Sequence, residues 1–391
     1  MINQETNMET ILFYVALVTI LFFALLSLEI FRGHKSLRFL KDFPPLENSS
    51  SIPVSVIIPA RNEEKNIEKA LKSILNQDYK NQENIIVDDR SSDRTGEIIE
   101  RMAKSDSRIR PFHIIELPKG WLGKNYAMYY GAQHAKGEYL LFTDADVVME
   151  PATLSRAMCY MRENQLDHLT LGPKVNMQGI LLNIFMGVFT IFLGLYSQPW
   201  KAKNPKSKKY VGLGVFNLVR SDVYRAIGTH QMIAMRPDDD MKLGKLVKNH
   251  RYRQDFLFAA EFISVEWYGS VRELIRGLEK NSYAGVEYSF LAIILATFFQ
   301  FLFYVWPFSA VFFTHGMTQI LNMMIITIIL VIGMYTAGFH NMKKRYILGF
   351  PLGVLIFIYI LWRSTIITLR NNGIDWRDTH YSLKELKANK V

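Results

Sequence analysis

The stretch LLFTDAD, residues 140–146, joins an apolar segment to two carboxylates that are one residue apart. The apolar part predicts a buried strand, and residues i and i+2 of an extended segment point to the same side. Asp144 and Asp146 can therefore reach one hard divalent cation, and oxygen ligands suit Mg²⁺ or Mn²⁺ carrying a diphosphate. A solitary Asp-x-Asp pair is more often a solvated acidic turn, so the rest of the chain has to decide between the two interpretations.

Strand and helix patterns alternate through the first half of the chain. Runs rich in apolar and β-branched residues predict strands at 54–58, 84–88, 109–115 and 139–143. Apolar residues at helical spacing predict helices at 63–76, 93–104 and 125–134. Such alternation predicts an α/β fold with a mostly parallel sheet between layers of helices, whose ligands bind at the carboxyl ends of the strands.

Apolar runs flank this soluble-looking middle region. Residues 11–28, 290–313, 320–339 and 346–369 are each about long enough to span a bilayer, although Arg363 interrupts the last. We interpret the first run as a retained anchor, since a signal peptide would have a basic region before it and a small-residue cleavage site after it. Residues 180–196 are apolar but short, which favours a helix in the membrane interface over a true span.

Basic residues predict which side of the membrane the middle region occupies. Four of them lie between positions 32 and 41, and HNMKKR at 340–345 is a second basic loop, so both are expected in the cytoplasm. Four spans would then put both termini outside, whereas the basic tail after Leu369 favours inside. Either one of the apolar runs is re-entrant, or the tail is an exception to the positive-inside rule. The net charge of +10 suits an anionic membrane face, and no nucleic-acid recognition motif accompanies it.

Five motifs carry the candidate chemistry: IPARNEE at 58–64, VDDRSSD at 87–93, GWLGKN at 120–125, TDAD at 143–146 and PDDDMKL at 237–243. Their order and spacing resemble the family 2 glycosyltransferases, which have the GT-A fold. Within that family, the chain looks most like bacterial membrane glycosyltransferases of the carotenoid (4,4'-diaponeurosporenoate) and hopanoid-associated type. The tail segment GIDWR at 373–377, followed by Tyr381, also resembles theirs.

The apolar runs, the charges and the resemblance together divide the chain into four expected regions. We expect an N-terminal anchor and linker at 1–51, a cytoplasmic GT-A domain at 52–285, transmembrane helices at 286–370 and a basic tail at 371–391. The protein would be a multi-pass membrane enzyme with a nucleotide-sugar donor, most simply a UDP-sugar. Its cofactor would be Mn²⁺ or Mg²⁺ held by Asp144 and Asp146.

The resemblance also assigns the donor site. Either Asp88 or Asp89 would accept a hydrogen bond from the uracil N–H, and the choice between them stays open. Lys124 would meet phosphate, since an ammonium and the N–H groups of a helix start can both contact it. The full donor-binding set is Pro59, Ala60, Arg61, Glu63, Asp88, Asp89, Lys124 and Asp144.

Inversion at the anomeric carbon requires a base on the face opposite the leaving group. The family's paired acids match DDMKL at 239–243, which makes Asp240 the expected base. Asp239 is the alternative, because three consecutive acids leave the register open. The Gln-x-x-Arg-Trp motif of chain-synthesising members is absent, and Val271–Arg276 occupies about that region without the tryptophan, so we expect transfer of a single sugar.

The expected acceptor is a membrane lipid, such as an isoprenoid or carotenoid acid. Two alternatives stay open. One is transfer to a polyprenyl phosphate, for which KAKNPKSKK at 201–209 could supply basic groups. The other is a non-catalytic membrane scaffold that binds nucleotide sugar. Neither the sugar nor the oligomeric state has a sequence signal.

Overall fold

A computed structural model of the chain describes residues 2–46, 52–377 and 379–391, with side chains from residue 8 onward. The chain separates into two units. The sheet unit comprises Leu37–Asn176, Ser197–Trp267 and Asn372–Val391. The helical unit comprises Met1–Ser36, Met177–Tyr196 and Tyr268–Asn371. Each unit is therefore assembled from three separate stretches of the sequence.

The strands all belong to the sheet unit. In chain order they are β1 Arg38–Phe39, β2 Val54–Ala60, β3 Gln82–Asp89, β4 Ile109–Ile114, β5 Tyr139–Phe142, β6 Val148–Met149, β7 His168–Gly172, β8 Lys174–Asn176, β9 Asn217–Arg220, β10 Gln254–Phe258, β11 Ile263–Glu266, β12 Gly373–Trp376 and β13 Thr379–Ser382. An eight-stranded sheet has the order β1-β10-β7-β9-β5-β2-β3-β4, and smaller sheets have the orders β6-β11-β8 and β12-β13. In the large sheet only β9 runs antiparallel to its neighbours.

The α-helices belong to both units. They are α1 Ile2–Ser36, α2 Ile67–Leu75, α3 Thr95–Ser105, α4 Gly123–Gln133, α5 Thr153–Glu163, α6 Ile180–Ser197, α7 Ser221–Ala226, α8 Asp239–Asn249, α9 Val271–Ser282, α10 Phe290–Gln300, α11 Trp306–Phe313, α12 Gly316–Phe339, α13 Phe350–Arg370 and α14 Leu383–Ala388.

Every residue of β2 is buried, as expected for a central strand covered on both faces. Val56 packs in one apolar cluster with Leu71 of α2, and Ile57 packs in the opposite cluster with Met128 of α4.

Five segments of the described chain are long and apolar enough to cross a membrane: Met8–Ser36, Ile180–Lys201, Phe290–Phe313, Gly316–Phe339 and Lys344–Arg370. The third is not a regular helix, because a π-helical turn at Phe301–Val305 separates α10 from α11. Arg363 in α13 pairs with Glu279 of α9 at 2.5 Å. This pair explains how an otherwise apolar helix carries a guanidinium, since a charged partner lies in the same unit.

The α/β architecture predicted from the sequence is confirmed, but the acidic stretch at 143–146 is built differently from the prediction. Strand β5 ends at Phe142, and Asp146 lies in a turn, so the two acids do not share an extended strand. The physical reason is a change of backbone partner. Beyond the pairing of β5 with β2, the Asp144 N–H donates instead to the Gly214 carbonyl at 3.0 Å.

The structural units also divide the chain at other places than the regions expected from the sequence. Residues 268–285, expected at the end of the catalytic domain, group with the helical unit, and residues 372–391, expected as a separate tail, group with the sheet unit. The apolar segment that starts at Ile180 extends to Lys201 and has 22 residues. Length alone therefore no longer argues for an interfacial helix there, and that location stays a prediction.

Candidate active site

The first motif follows β2. Pro59 and Ala60 form the end of this strand, and the chain then turns away from the sheet. The Glu63 N–H donates to Thr95 Oγ1 at 2.7 Å, which fixes the turn against the start of α3. The Glu63 carboxylate accepts a hydrogen bond from Arg377 Nη2 at 3.0 Å. Burial raises the pKa of Glu63, and the Arg377 guanidinium opposes that effect.

The second motif ends β3, and both of its carboxylates have partners. Asp88 Oδ2 lies 3.2 Å from His113 Nδ1. Asp89 accepts from Arg90 Nε at 2.7 Å and lies 3.7 Å from Arg61 Nη1. Both side chains are largely buried, and each could turn one free oxygen lone pair to a base N–H. Which of the two contacts a nucleobase stays a prediction.

The third motif begins α4 and packs on the second. A methyl group at Gly123 would lie 2.9 Å from Arg90 Nη2 and closer still to the Asp89 carboxylate, so only glycine lets the helix start this near. Asn125 is fully buried, and its Nδ2 donates to the backbone carbonyl of Arg236 at 2.9 Å. The start of α4 is thereby tied to the segment that leads into the fifth motif.

Lys124 stands between two acidic motifs. Its Nζ lies 2.9 Å from Asp144 Oδ1 and 3.6 Å from Asp239 Oδ1. Burial lowers the pKa of Lys124, but the carboxylates of Asp144, Asp239 and Asp240 outweigh it and raise the pKa above the usual value. The structure therefore places a permanently charged ammonium where the fourth and fifth motifs meet.

The fourth motif is rich in negative charge. Burial raises the pKa of Asp146 to about 7, and the neighbouring Asp144 and Glu63 carboxylates add to the shift. Two carboxylates with this mutual repulsion fit a hard divalent cation, because the cation would relieve it. Within the described residues, no three acidic, histidine or cysteine side chains converge on one metal position. A cation here would take its other ligands from water and phosphate oxygens, as Mg²⁺ commonly does.

The fifth motif contains acids in different surroundings. Asp238 accepts from Arg236 Nε at 2.8 Å and lies 3.5 Å from Lys242 Nζ, so it forms part of a buried ion-pair group. Asp239 is 3% exposed and faces Lys124. Asp240 is half-buried. Asp239 and Asp240 therefore both lie within electrostatic reach of the Lys124 ammonium, whereas Asp238 pairs with Arg236.

Gly214 links the fourth and fifth motifs. Its N–H donates to Asp240 Oδ2 at 2.8 Å, and its carbonyl accepts from the Asp144 N–H at 3.0 Å. Asp240 Oδ1 accepts from the Met241 N–H at 2.7 Å, so both oxygens of this carboxylate are oriented by backbone groups. Burial raises the pKa of Asp240, although Lys124 opposes the shift.

Sequence reasoning missed three contributors to this site. Gly214 had a signal, because GLG at 212–214 places two glycines just before a strand. Asn125 was inside the third motif but had no assigned role. Arg377 had been noted only within a tail resemblance, and nothing in the sequence pointed to its contact with Glu63. The other predicted site residues lie in the sheet unit, at the carboxyl ends of β2, β3 and β5 and at the starts of α4 and α8.

Comparison with known proteins agrees with this geometry. The model of the glycosyl transferase family 2 matches residues 55–226, which contain the first four motifs. The chain carries a family 2 glycosyltransferase domain. The chain is 37% identical over 131 residues to 4,4'-diaponeurosporenoate glycosyltransferase of Staphylococcus haemolyticus, a match that covers 32% of this chain and 33% of the relative.

A second relative of the chain is GalNAc(5)-diNAcBac-PP-undecaprenol beta-1,3-glucosyltransferase of Campylobacter jejuni. It is 38% identical over 105 residues, which cover 27% of this chain and 33% of the relative. The chain thus matches about a third of the length of these curated relatives. A solved mannosyltransferase from Pyrobaculum calidifontis, in complex with GDP-Man and Mn²⁺, covers 92% of this chain and 99% of its own, with 18% identity and a TM-score of 0.53. That likeness confirms the predicted GT-A fold and shows the fold alone.

Proposed function

We propose that this glycosyltransferase transfers a single sugar, with inversion and in a metal-dependent reaction, from a UDP-sugar to a lipid acceptor in the cytoplasmic face of a membrane. The observation that carries the proposal is the position of Lys124 Nζ, 2.9 Å from Asp144 and 3.6 Å from Asp239. Asp144, the expected metal ligand on the donor side, and Asp239, in the expected base motif, are therefore both within reach of one ammonium group.

The residues support a direct displacement. As the acceptor oxygen forms its bond to the anomeric carbon, its proton passes to an Asp240 carboxylate oxygen, and the bond between the anomeric carbon and the diphosphate oxygen breaks. The Gly214 N–H holds Asp240 Oδ2 at 2.8 Å, which orients the base before the acceptor arrives. Lys124 stabilises the charge that develops on the leaving uridine diphosphate, because it is a preorganised cation in a mostly buried site.

Asp144 and Asp146 would hold the divalent cation. Their acidic surroundings fit it, since burial and neighbouring carboxylates raise the pKa of Asp146 to about 7. When bound, Mn²⁺ or Mg²⁺ would offset charge on the donor diphosphate and fix its orientation. The Mn²⁺ in the solved mannosyltransferase supports the same choice of cation.

A lipid acceptor is supported by the apolar helices and by the relatives. Five segments of the described chain are long and apolar enough to cross a membrane. The names of the two relatives contain 4,4'-diaponeurosporenoate and GalNAc(5)-diNAcBac-PP-undecaprenol. An acceptor that stays in the bilayer would explain why this glycosyltransferase domain is joined to several long apolar helices.

The chain path supports three membrane crossings. Strands β7 and β9 pair in one sheet although α6 lies between them in sequence, so both ends of α6 belong on the same side of the membrane. The stretches before α9 and after α13 also belong to the sheet unit, so an even number of crossings separates them. The basic loop at 340–345 favours the cytoplasmic side. We therefore assign crossings to α1, α10–α11 and α12, and place α6 and α13 in the cytoplasmic interface.

The packing of α6 on α13 agrees with a shared location. A methyl group at Gly353 of α13 would lie 2.6 Å from Val188 Cγ2, so the helices approach closely at a small residue. In this proposed arrangement the basic tail agrees with the positive-inside rule, because the apolar run that contains Arg363 does not cross the membrane. The N-terminus is then outside and the tail is cytoplasmic.

Transfer to a polyprenyl phosphate is less well supported. In this alternative, the loop at 201–209 would bind the phosphate of the acceptor. However, Lys203 Nζ in this loop lies 3.4 Å from Asp255 and 3.5 Å from Asn164 Oδ1. At least this lysine is used inside the sheet unit. A non-catalytic scaffold would not need a base held by two backbone N–H groups, as Asp240 is.

The test is incubation of membranes containing the protein with labelled UDP-sugars, followed by lipid extraction and mass spectrometry. We expect one labelled lipid with a mass increase of one sugar. Label in a lipid that mild acid cleaves to a polyprenyl phosphate would favour the alternative acceptor. Absence of any labelled lipid with UDP-, GDP- and ADP-sugars would overturn the transferase proposal and favour the scaffold.

A further inference from the structure

The C-terminal segment lies against the loops that carry the first two motifs. β12 and β13 pair antiparallel, with Ile374 opposite Tyr381, and we call Gly373–Ser382 the tail hairpin. Ile374 of the hairpin and Leu386 of the following helix α14 are buried. The tail hairpin therefore has its own apolar anchorage in the sheet unit.

The first loop receives Arg377 from this hairpin. Nη1 of Arg377 donates to the backbone carbonyl of Arg61, and Nη2 donates to Glu63 Oε1 at 3.0 Å. Between these two acceptors lies Asn62, whose φ of 54° is in the left-handed region. One planar guanidinium thus bridges both sides of a turn that few residue types adopt unaided.

Tyr381 lies near the second loop. Burial lowers the pKa of Arg90, but Asp89 and the nearby Tyr381, whose side chain is 6% exposed, outweigh that effect and raise it. Arg90 also has a left-handed backbone, with a φ of 56°. Its guanidinium donates to both oxygens of Asp89, at 2.7 and 3.2 Å.

The two contacts converge on one carboxylate. The loop that Arg377 holds carries Arg61, whose Nη1 lies 3.7 Å from Asp89 Oδ2. Tyr381 lies near Arg90, the other cation at Asp89. Asp89 is 3% exposed, so its orientation depends on these neighbours and not on solvent.

We propose that the tail hairpin is part of the donor site, with Arg377 and Tyr381 as positioning residues that hold the two nucleoside-binding loops in register. This inference rests on the proposed function, because it assumes that these loops bind a nucleoside diphosphate. Neither residue touches the reacting atoms in this role. Their contribution is to donor binding: the loops are ordered before the nucleotide arrives, so less of the binding free energy is lost to ordering them.

The same segment also reaches the entry to the base motif. Asn389 Oδ1 accepts from the Met235 N–H at 2.9 Å, and its Nδ2 donates to the Met232 carbonyl at 2.9 Å. Met235 stands two residues before the PDDD run of the fifth motif. The tail therefore spans the donor side and the acceptor side of the same site.

The test measures UDP binding by calorimetry with the full-length protein in detergent and Mn²⁺, together with donor KM and kcat. Arg377→Ala should weaken UDP binding on the order of tenfold, as expected for loss of hydrogen bonds from a charged group. Its kcat at saturating donor should stay within about threefold of wild type, since only uniform binding is lost. Arg377→Lys, which keeps the charge and one contact, should restore part of the affinity. Tyr381→Phe should weaken binding in the same direction by about threefold.

Lys384→Ala is the matched control, because this exposed lysine of α14 lies in the same segment and its loss changes the charge equally. Hydrogen exchange should rise in Arg377→Ala at residues 61–64 and 88–92, with the rest of the sheet unit unchanged. Wild-type UDP affinity in both Arg377→Ala and Tyr381→Phe would overturn the inference and leave the proposed function intact. A wild-type protein that binds no nucleoside diphosphate would overturn both.

Discussion

Lys124 Nζ lies 2.9 Å from Asp144 Oδ1 in a site where four further carboxylates are close by. The relationship has a direct consequence for the proposed mechanism, in which this ammonium is the cation that the chain itself supplies to a leaving diphosphate. Lys124→Gln should lower kcat by on the order of 10²–10³-fold, the usual effect of removing one preorganised electrostatic donor. Steady-state kinetics with a UDP-sugar checks this.

Lys119→Gln is the control for Lys124, since Lys119 is an exposed lysine five residues earlier. It should behave as wild type. If Lys124→Gln retains full kcat, the ammonium serves only to balance the charge of Asp144 and Asp239, and its assignment to the diphosphate is wrong.

Metal dependence should follow from the crowded carboxylates of the fourth motif. Chelation should abolish transfer, and Mn²⁺ or Mg²⁺ should restore it, because two acidic ligands hold the cation only with help from donor oxygens. Asp146→Asn should lose UDP affinity and activity together. Full turnover in excess chelator would exclude the metal role.

Gly214 should tolerate no side chain. A methyl group there would lie 2.5 Å from Asp144 Oδ2, so Gly214→Ala must displace either the carboxylate or the backbone that orients Asp240. We expect transfer to fall at least tenfold, by about the factor that a small misplacement of reacting groups costs. Circular dichroism should show that the sheet is retained. Gly194→Ala, where a methyl group meets no atom within 4 Å, should leave transfer unchanged.

Local sequence patterns predicted the parallel part of this fold well. Strands β2 and β5 are short apolar runs and β3 has an apolar centre, and polar residues lie at or after the carboxyl end of each, so both the sheet and the edge that carries the site follow from near neighbours in sequence. The family's paired acids pointed to Asp240 as the base, with Asp239 as the alternative, and the choice between them stays a prediction.

Contacts across long sequence separations could not be predicted in this way. Arg377 and Glu63 are 314 residues apart, and no local pattern pairs a tail arginine with the first motif. Strand β9 lies between β5 and β7 and runs antiparallel to both. Nothing in its short sequence NLVR at 217–220 predicts the direction in which the strand runs. Gly214 matters through its lack of a side chain beside Asp144, which only the folded backbone reveals.

The membrane arrangement predicts a labelling pattern. In a Cys159→Ala background, cysteines introduced at the exposed positions His315, Lys343 and Lys390 report the two sides. A membrane-impermeant maleimide should label position 315 in intact cells, and positions 343 and 390 only in inverted vesicles. Labelling of position 343 from outside would show that α13 crosses the membrane and that the basic loop breaks the positive-inside rule.

The base assignment separates chemistry from binding at Asp240. A base acts only as the acceptor proton leaves, so Asp240→Asn should lower kcat by roughly 10²–10⁴-fold and leave UDP affinity near wild type. The amide keeps the shape of the carboxylate, and its oxygen can still accept from the Gly214 N–H, so the fold around α8 should persist. Donor binding by calorimetry and kcat from lipid glycosylation are the two measurements.

Asp239→Asn tests the register of the acids. It removes a buried charge beside Lys124 but no proton acceptor from the acceptor side, so its effect should be smaller than that of Asp240→Asn and should include a change in donor affinity. An inactive Asp239→Asn with a nearly wild-type Asp240→Asn would move the base by one residue. Full activity in both, with an inactive Asp146→Asn, would place the base outside the fifth motif while the donor site stands.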